Sequence, residues 1–166
     1  MKRQFLLIGL LLLSALGTWA ERIDVAKARQ VAENVASRSS GLRSMDDLSL
    51  VYAAAPGSDA SALRSGSVEG AADYFVFNVP GERGFVIVSG DDRAYPVLGY
   101  SDKGSFDPDN LPENLRAMLA FYQEQIGWAE RNDLNPSQEI TSRWVMYAGG
   151  GRTAFLRGEK RPADYR

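Results

Sequence analysis

The chain has 166 residues, no cysteine, no histidine and a formal net charge of −2. It therefore lacks the Ser–His and Cys–His nucleophile pairs, the commonest general base near neutral pH and the usual zinc ligands, and no disulfide supports its fold. So mild an acidity offers no electrostatic reason to hold nucleic acid or an anionic membrane surface.

Lys2 and Arg3 precede an unbroken apolar run from Phe5 to Leu13, and Thr18-Trp19-Ala20 places small residues at the first and third positions before a cut. That is the layout of a secretory leader over residues 1–20, cleaved after Ala20. The apolar stretch Phe5 to Leu16 is too short for a hydrocarbon core that needs about 20 residues. Export to the periplasm or the medium is expected, with no membrane attachment after cleavage. What remains is the size of one domain, large enough to bury about two-thirds of its unfolded surface.

From Asp24 to Ser37, the residues Val25, Ala28, Val31, Ala32 and Val35 recur at three- and four-residue steps, one stripe of an amphipathic helix. Asp24 suits its N-cap, because a carboxylate there accepts from the first free backbone N–H groups. Leu48 to Ala54 reads as a strand, with Leu48, Leu50 and Tyr52 alternating against Ser49 and Val51. Pro56 to Gly70 is a Ser-, Ala- and Gly-rich loop without periodicity. Asp73 to Val79 is aromatic and β-branched, as a strand prefers. Pro80-Gly81-Glu82-Arg83 turns the chain into a second strand, Gly84 to Ser89, and Gly90-Asp91-Asp92-Arg93 turns it again into a shorter third, Pro96 to Ser101. Gly90 is expected to supply a backbone angle at that turn, and Gly99 a bulge or a close helix approach.

A polar connector, Ser105 to Asn110, carries the single aromatic Phe106. Pro112 suits the first turn of a helix, in which Leu115, Met118, Leu119, Tyr122 and Ile126 form an apolar stripe ending near Arg131. Ile140 to Tyr147 reads as a short strand. Gly149-Gly150-Gly151 and the arginines and lysines after it read as a flexible basic tail. The fold class is α+β, an antiparallel meander of about four strands packed with two amphipathic helices. Residues 21–136 make the domain and residues 137–166 the short strand and tail.

No catalytic constellation emerges. Gly149-Gly150-Gly151-Arg152 lacks the strand, lysine and helix of a phosphate loop. Asp91-Asp92 and Asp107/Asp109 lack the ligand spacing of a calcium loop, and aspartate in turns ordinarily bonds its own backbone. No pair of carboxylates is placed across a cleft as glycoside chemistry requires, and no lysine has a Ser-x-x-Lys partner. No enzyme activity, metal or cofactor is expected.

Gly84-Phe85-Val86-Ile87-Val88-Ser89-Gly90-Asp91-Asp92-Arg93, then Pro96 to Ser101 and Gly104-Ser105-Phe106-Asp107, resembles the propeptide and inhibitor module of the streptopain family of cysteine peptidases. The resemblance continues through Glu113-Asn114-Leu115 and the helix carrying Tyr122 and Gln125-Ile126, and covers roughly Ile23 to Arg131. It implies a module that blocks the cleft of a papain-like cysteine peptidase, acting here in trans. It also implies that Asn114, at the start of the second helix, matches the asparagine with which the family's prosegment disturbs the catalytic histidine. A neutral amide can satisfy polar groups in a buried cleft without desolvating a charge. The expected contacts are the connector and helix start, with Phe106, Asp107, Glu113, Asn114 and Leu115, and the turn with Asp91 and Arg93. Phe85, Ile87 and Val88 are expected in the core. The expected partner is a streptopain-like cysteine peptidase, bound by a protein that is a monomer when free. The alternatives are an orphan propeptide that assists folding, a non-inhibitory interaction module, and a truncated zymogen remnant.

Overall fold

A computed structural model describes residues 20–39, 48–57 and 71–149. The expected leader up to residue 19, most of the Ser- and Gly-rich loop and the expected basic tail lie outside the described residues. In chain order the elements are α1 (Val25–Ser39), β1 (Ser49–Ala54), β2 (Tyr74–Asn78), β3 (Phe85–Ser89), β4 (Val97–Ser101), α2 (Glu113–Arg131) and α3 (Gln138–Ala148). The strands form one antiparallel sheet in the order β1-β2-β3-β4, the expected meander in an α+β fold. Asp24 caps α1 as its chemistry predicts, its Oδ1 accepting from the Lys27 N–H at 2.7 Å.

The sheet is covered on both faces, which explains why its central strands read as nearly continuous apolar runs. Phe75 and Phe77 of β2 and Val86 and Val88 of β3 join Ala28, Val31 and Val35 of α1 in one core. Their neighbours Tyr74, Val76 and Ile87 point the other way, into a second core with Tyr52, Phe106 and Leu119. The period-two alternation of a strand thus feeds two layers rather than a core and solvent. Each of the large side chains buried here contributes about 1.5–3 kcal/mol of transfer free energy.

Two expectations are corrected. Leu50 and Tyr52 do not share a face: a bulge shifts the β1–β2 register between them, so Leu50 joins the α1 side and Tyr52 the α2 side. The segment 140–147 is helical, not a strand. Ser137 caps α3, its hydroxyl accepting from the Ile140 N–H at 3.2 Å, and Ile140, Trp144 and Tyr147 fall on one helical face packed into the α1 core. Trp144 Nε1 donates to the Ala94 carbonyl at 2.9 Å and Asn34 of α1 donates to the Tyr147 carbonyl at 2.7 Å. The β-branched residues of this stretch carry a β preference, but the cap and the tertiary contacts override it.

Gly90 serves a different purpose from the one its turn position indicates. Its φ is not in the left-handed region, but a Cβ there would lie 1.8 Å from the Ala72 carbonyl oxygen, so the residue permits close approach of two backbones. Gly99, by contrast, would meet Ile87 only at ordinary contact distance, beside the bulge between Ile87 and Val88. No helix among the described residues is long and apolar enough to cross a membrane.

Candidate partner-binding site

The connector between β4 and α2 is held rigidly at the β2–β3 hairpin end of the sheet. Asn78, the last residue of β2, grips the backbone of Phe106 from both sides: its Nδ2 donates to the Phe106 carbonyl at 2.9 Å and its Oδ1 accepts from the Phe106 N–H at 2.8 Å. The Gly84 N–H donates to the Gly104 carbonyl at 2.8 Å, adding a second tie. Phe106 itself is buried, edge-on to Phe85 at 5.6 Å and tilted against Tyr52 at 6.0 Å. It anchors the connector from below, leaving the surface to its neighbours.

Asp107 is exposed, its Oδ1 accepting from the Asp109 N–H at 3.0 Å, a turn that carries the chain towards Pro112 and into α2. Glu113 is exposed in the first turn, where its charge complements the positive end of the helix dipole. Asn114 is exposed, and its side chain makes no hydrogen bond to any described residue. Its amide, with two donors and one acceptor, is open to a partner. Leu115 is half-buried against the second core. The fold therefore gathers Phe106, Asp107, Glu113, Asn114 and Leu115 at one end of the molecule.

Asp91 and Arg93 lie at the other end. β3 runs away from the connector towards them, and α2, 19 residues long or about 28 Å at 1.5 Å per residue, ends on the same side, where Glu130 pairs with Arg22. Asp91 is wholly buried. It accepts from Arg93 Nη1 at 2.8 Å and sits 3.6 Å from Arg22 Nε. Arg22 also bonds Asp73 at 3.1 Å and pairs with Glu130 near the end of α2. Arg93 Nε donates to the Leu134 carbonyl at 2.9 Å. These charges tie the N-terminal segment, the sheet and α2 together. Burial pushes the Asp73 carboxyl above the ordinary aspartate range, against the pull of Arg22.

A surface that the sequence reading passed over runs along α2. Asn114, Phe121 and Trp128 are spaced by seven residues, so they share one side of the helix with a drift of about 20° per step. Phe121 and Trp128 are each 55 % exposed and Tyr95 is 44 % exposed. A groove of about 550 Å³ lies between α2, the β3–β4 turn and Ile140 of α3, with these three aromatic rings on its walls. Tyr122, one step round the helix, instead donates to the Leu98 carbonyl at 2.7 Å and pins α2 to β4. Two large aromatics outside the apolar stripe were the available signal, since clustered exposed apolar area marks contact surfaces. Among the described residues there is no group of three acidic side chains able to hold a metal ion.

The sequence profile of the Spi protease inhibitor family matches residues 20–126. The chain is 35 % identical over 130 residues to the thiol protease/hemagglutinin PrtT of Porphyromonas gingivalis, a match covering 76 % of this chain and 14 % of that protein. It is 36 % identical over 91 residues to streptopain of Streptococcus pyogenes, covering 55 % of this chain and 20 % of streptopain. The chain thus corresponds to a minor part of each of these relatives. No solved structure matches it significantly.

Proposed function

The chain belongs to the Spi protease inhibitor family, and from that premise we propose that this non-enzymatic inhibitor or propeptide domain is exported and blocks the active-site cleft of a streptopain-like cysteine peptidase. Blocking needs no chemistry of its own, only a surface that fits the cleft and holds there. The observation that carries the reading is the end of the molecule at Asn114: a neutral amide, unbonded within the described residues, on a helix start fixed by the Asn78 grip on Phe106. A side chain presented on a rigid base loses little entropy on binding. Asp107, Glu113 and Leu115 flank it. The aromatic line Phe121–Trp128 extends the same side of α2, so a complex of ordinary protease–inhibitor size, about 1,600 Å² in total, has room to form. Export rests on the leader-like pattern of residues 1–20.

The test is a titration of the domain from Glu21 onward against a streptopain-type peptidase from the same source, read as peptide hydrolysis with papain as control. Saturable inhibition that spares papain is expected. Asn114→Ala is expected to weaken it at least fivefold, about 1 kcal/mol, while leaving the fold intact. Absence of inhibition by the folded domain overturns the reading for that peptidase. A gain in peptidase refolding yield without inhibition would identify a folding assistant instead, as a propeptide-like domain can be.

A further inference from the structure

The first described residues are laid against the β3–β4 turn by backbone hydrogen bonds. The Ile23 N–H donates to the Gly90 carbonyl at 2.9 Å and the Asp92 N–H to the Glu21 carbonyl at 3.2 Å, and Arg22 forms an antiparallel bridge with Asp91. At the head of this segment the Glu21 N–H donates to Asp92 Oδ1 at 2.9 Å. That nitrogen belongs to the peptide bond which cleavage after Ala20 would break.

We propose that Asp92 is a built receptor for the α-ammonium group that leader removal creates at Glu21, so that processing converts an amide hydrogen bond into an ion pair and locks the N-terminal segment onto the domain. This rests on the export reading above. In the cleavage, water adds across the Ala20–Glu21 bond under a leader-specific endopeptidase. The oxygen stays with Ala20 as its new carboxylate, and the Glu21 nitrogen leaves with the protons that make it an ammonium. The nitrogen is already at bonding distance from the carboxylate, so the new charge forms in place.

The surroundings leave Asp92 available. Its neighbour Asp91 is engaged by Arg22 and Arg93. No side-chain cation among the described residues lies within 4 Å of the Asp92 carboxylate, and Lys27 from α1 reaches the Glu21 carboxylate instead, at 3.9 Å. The charged groups facing the site are thus Asp91, Arg93 and Lys27, with Glu21 itself. Burial, with Asp91 adding, raises the Asp92 carboxyl above its ordinary value, and the Glu21 N–H, Arg93 and Lys27 oppose that rise. A charge-assisted bond is roughly twice as strong as a neutral one. The locked segment carries Arg22, so the buried Asp73 and Asp91 gain a more securely placed counter-cation.

The experiment is secretion of the full chain from a leader-competent host, mass-spectrometric definition of its N-terminus, and an NMR pH titration of the Glu21 α-amine in the parent and in Asp92→Asn. A second form that keeps Ala20 as its first residue displaces the ammonium without touching Asp92. The expected result is a chain beginning at Glu21 whose α-amine titrates about one unit above the usual value near 8. Asp92→Asn and the Ala20-led form return to that usual value, with lower urea midpoints. An N-terminus at Glu21 whose α-amine titrates alike in all three forms overturns the receptor and leaves export standing. A secreted chain beginning elsewhere overturns both the cleavage site and the receptor.

Discussion

Arg22→Met tests the charge network that joins the N-terminal segment to the sheet and to α2. Arg22 serves three carboxylates, of which Asp73 is 2 % exposed and Asp91 wholly buried. Asp91 keeps Arg93 at 2.8 Å after the substitution. Glu130 is 44 % exposed, and water replaces the lost partner there. The loss therefore falls on Asp73, left with Gln123 as its remaining side-chain hydrogen-bond partner among those that stabilise its charge. Removing one partner of a buried ion pair costs about 3–5 kcal/mol. The retained amide and the option of protonation reduce this to about 2–4 kcal/mol near pH 7. For a domain of this size that is a fall of roughly 10 °C in melting temperature. Urea unfolding followed by tryptophan fluorescence and circular dichroism measures it. The decisive comparison is Arg22→Met with Asp73→Asn in one chain, which removes the orphaned charge and is expected to recover more than half of the loss. A cost below about 1 kcal/mol for the single variant, or a double variant no better than the single, refutes this account.

Asn78→Ala removes both bonds that grip Phe106, and a loss of about 1–3 kcal/mol is expected, together with weaker inhibition as the connector loosens. Unchanged inhibition would show that Asn114 does not depend on that base. Gly90→Ala places a Cβ 1.8 Å from the Ala72 carbonyl oxygen and is expected to destabilise by about 3 kcal/mol or more in the same unfolding assay. Because burial raises Asp73 in the folded state, the native form holds its proton more tightly than the unfolded one. Stability therefore falls as pH rises from the unfolded value near 4 through the folded one. Asp73→Asn removes that dependence, so acidification should move the stability difference in the parent's favour. A difference that stays flat between pH 3.5 and 7 would contradict this; these pH limits are about the ordinary aspartate range and neutrality. Tyr74 Oη is buried beside the Tyr52 hydroxyl without meeting the full geometry of a hydrogen bond, so Tyr74→Phe is expected to cost less than about 1 kcal/mol.

Local chemistry explains why much of this protein could be read before any fold was known. Asp24 announces α1 because capping is a contact within four residues, and the runs Tyr74 to Asn78 and Phe85 to Ser89 announce strands because a sheet covered on both faces demands apolar residues at every position. The motif groups the connector with Asn114, and these residues stay together in the fold because their neighbours on the chain are also their neighbours in space. The tertiary structure decided what depends on residues far apart in sequence. It turned 140–147 into a helix by giving Trp144 and Tyr147 a core to enter. It put Asp91 and Arg93 at the far end of α2 from Asn114, consumed by Arg22 and by each other, although the sequence groups them in one motif. It exposed Phe121 and Trp128 while burying Leu119 and Ile126 of the same helix. Composition specifies which residues can be buried, but which of them are buried follows from the distance each side chain keeps to partners tens of residues away, and periodicity carries no record of those distances.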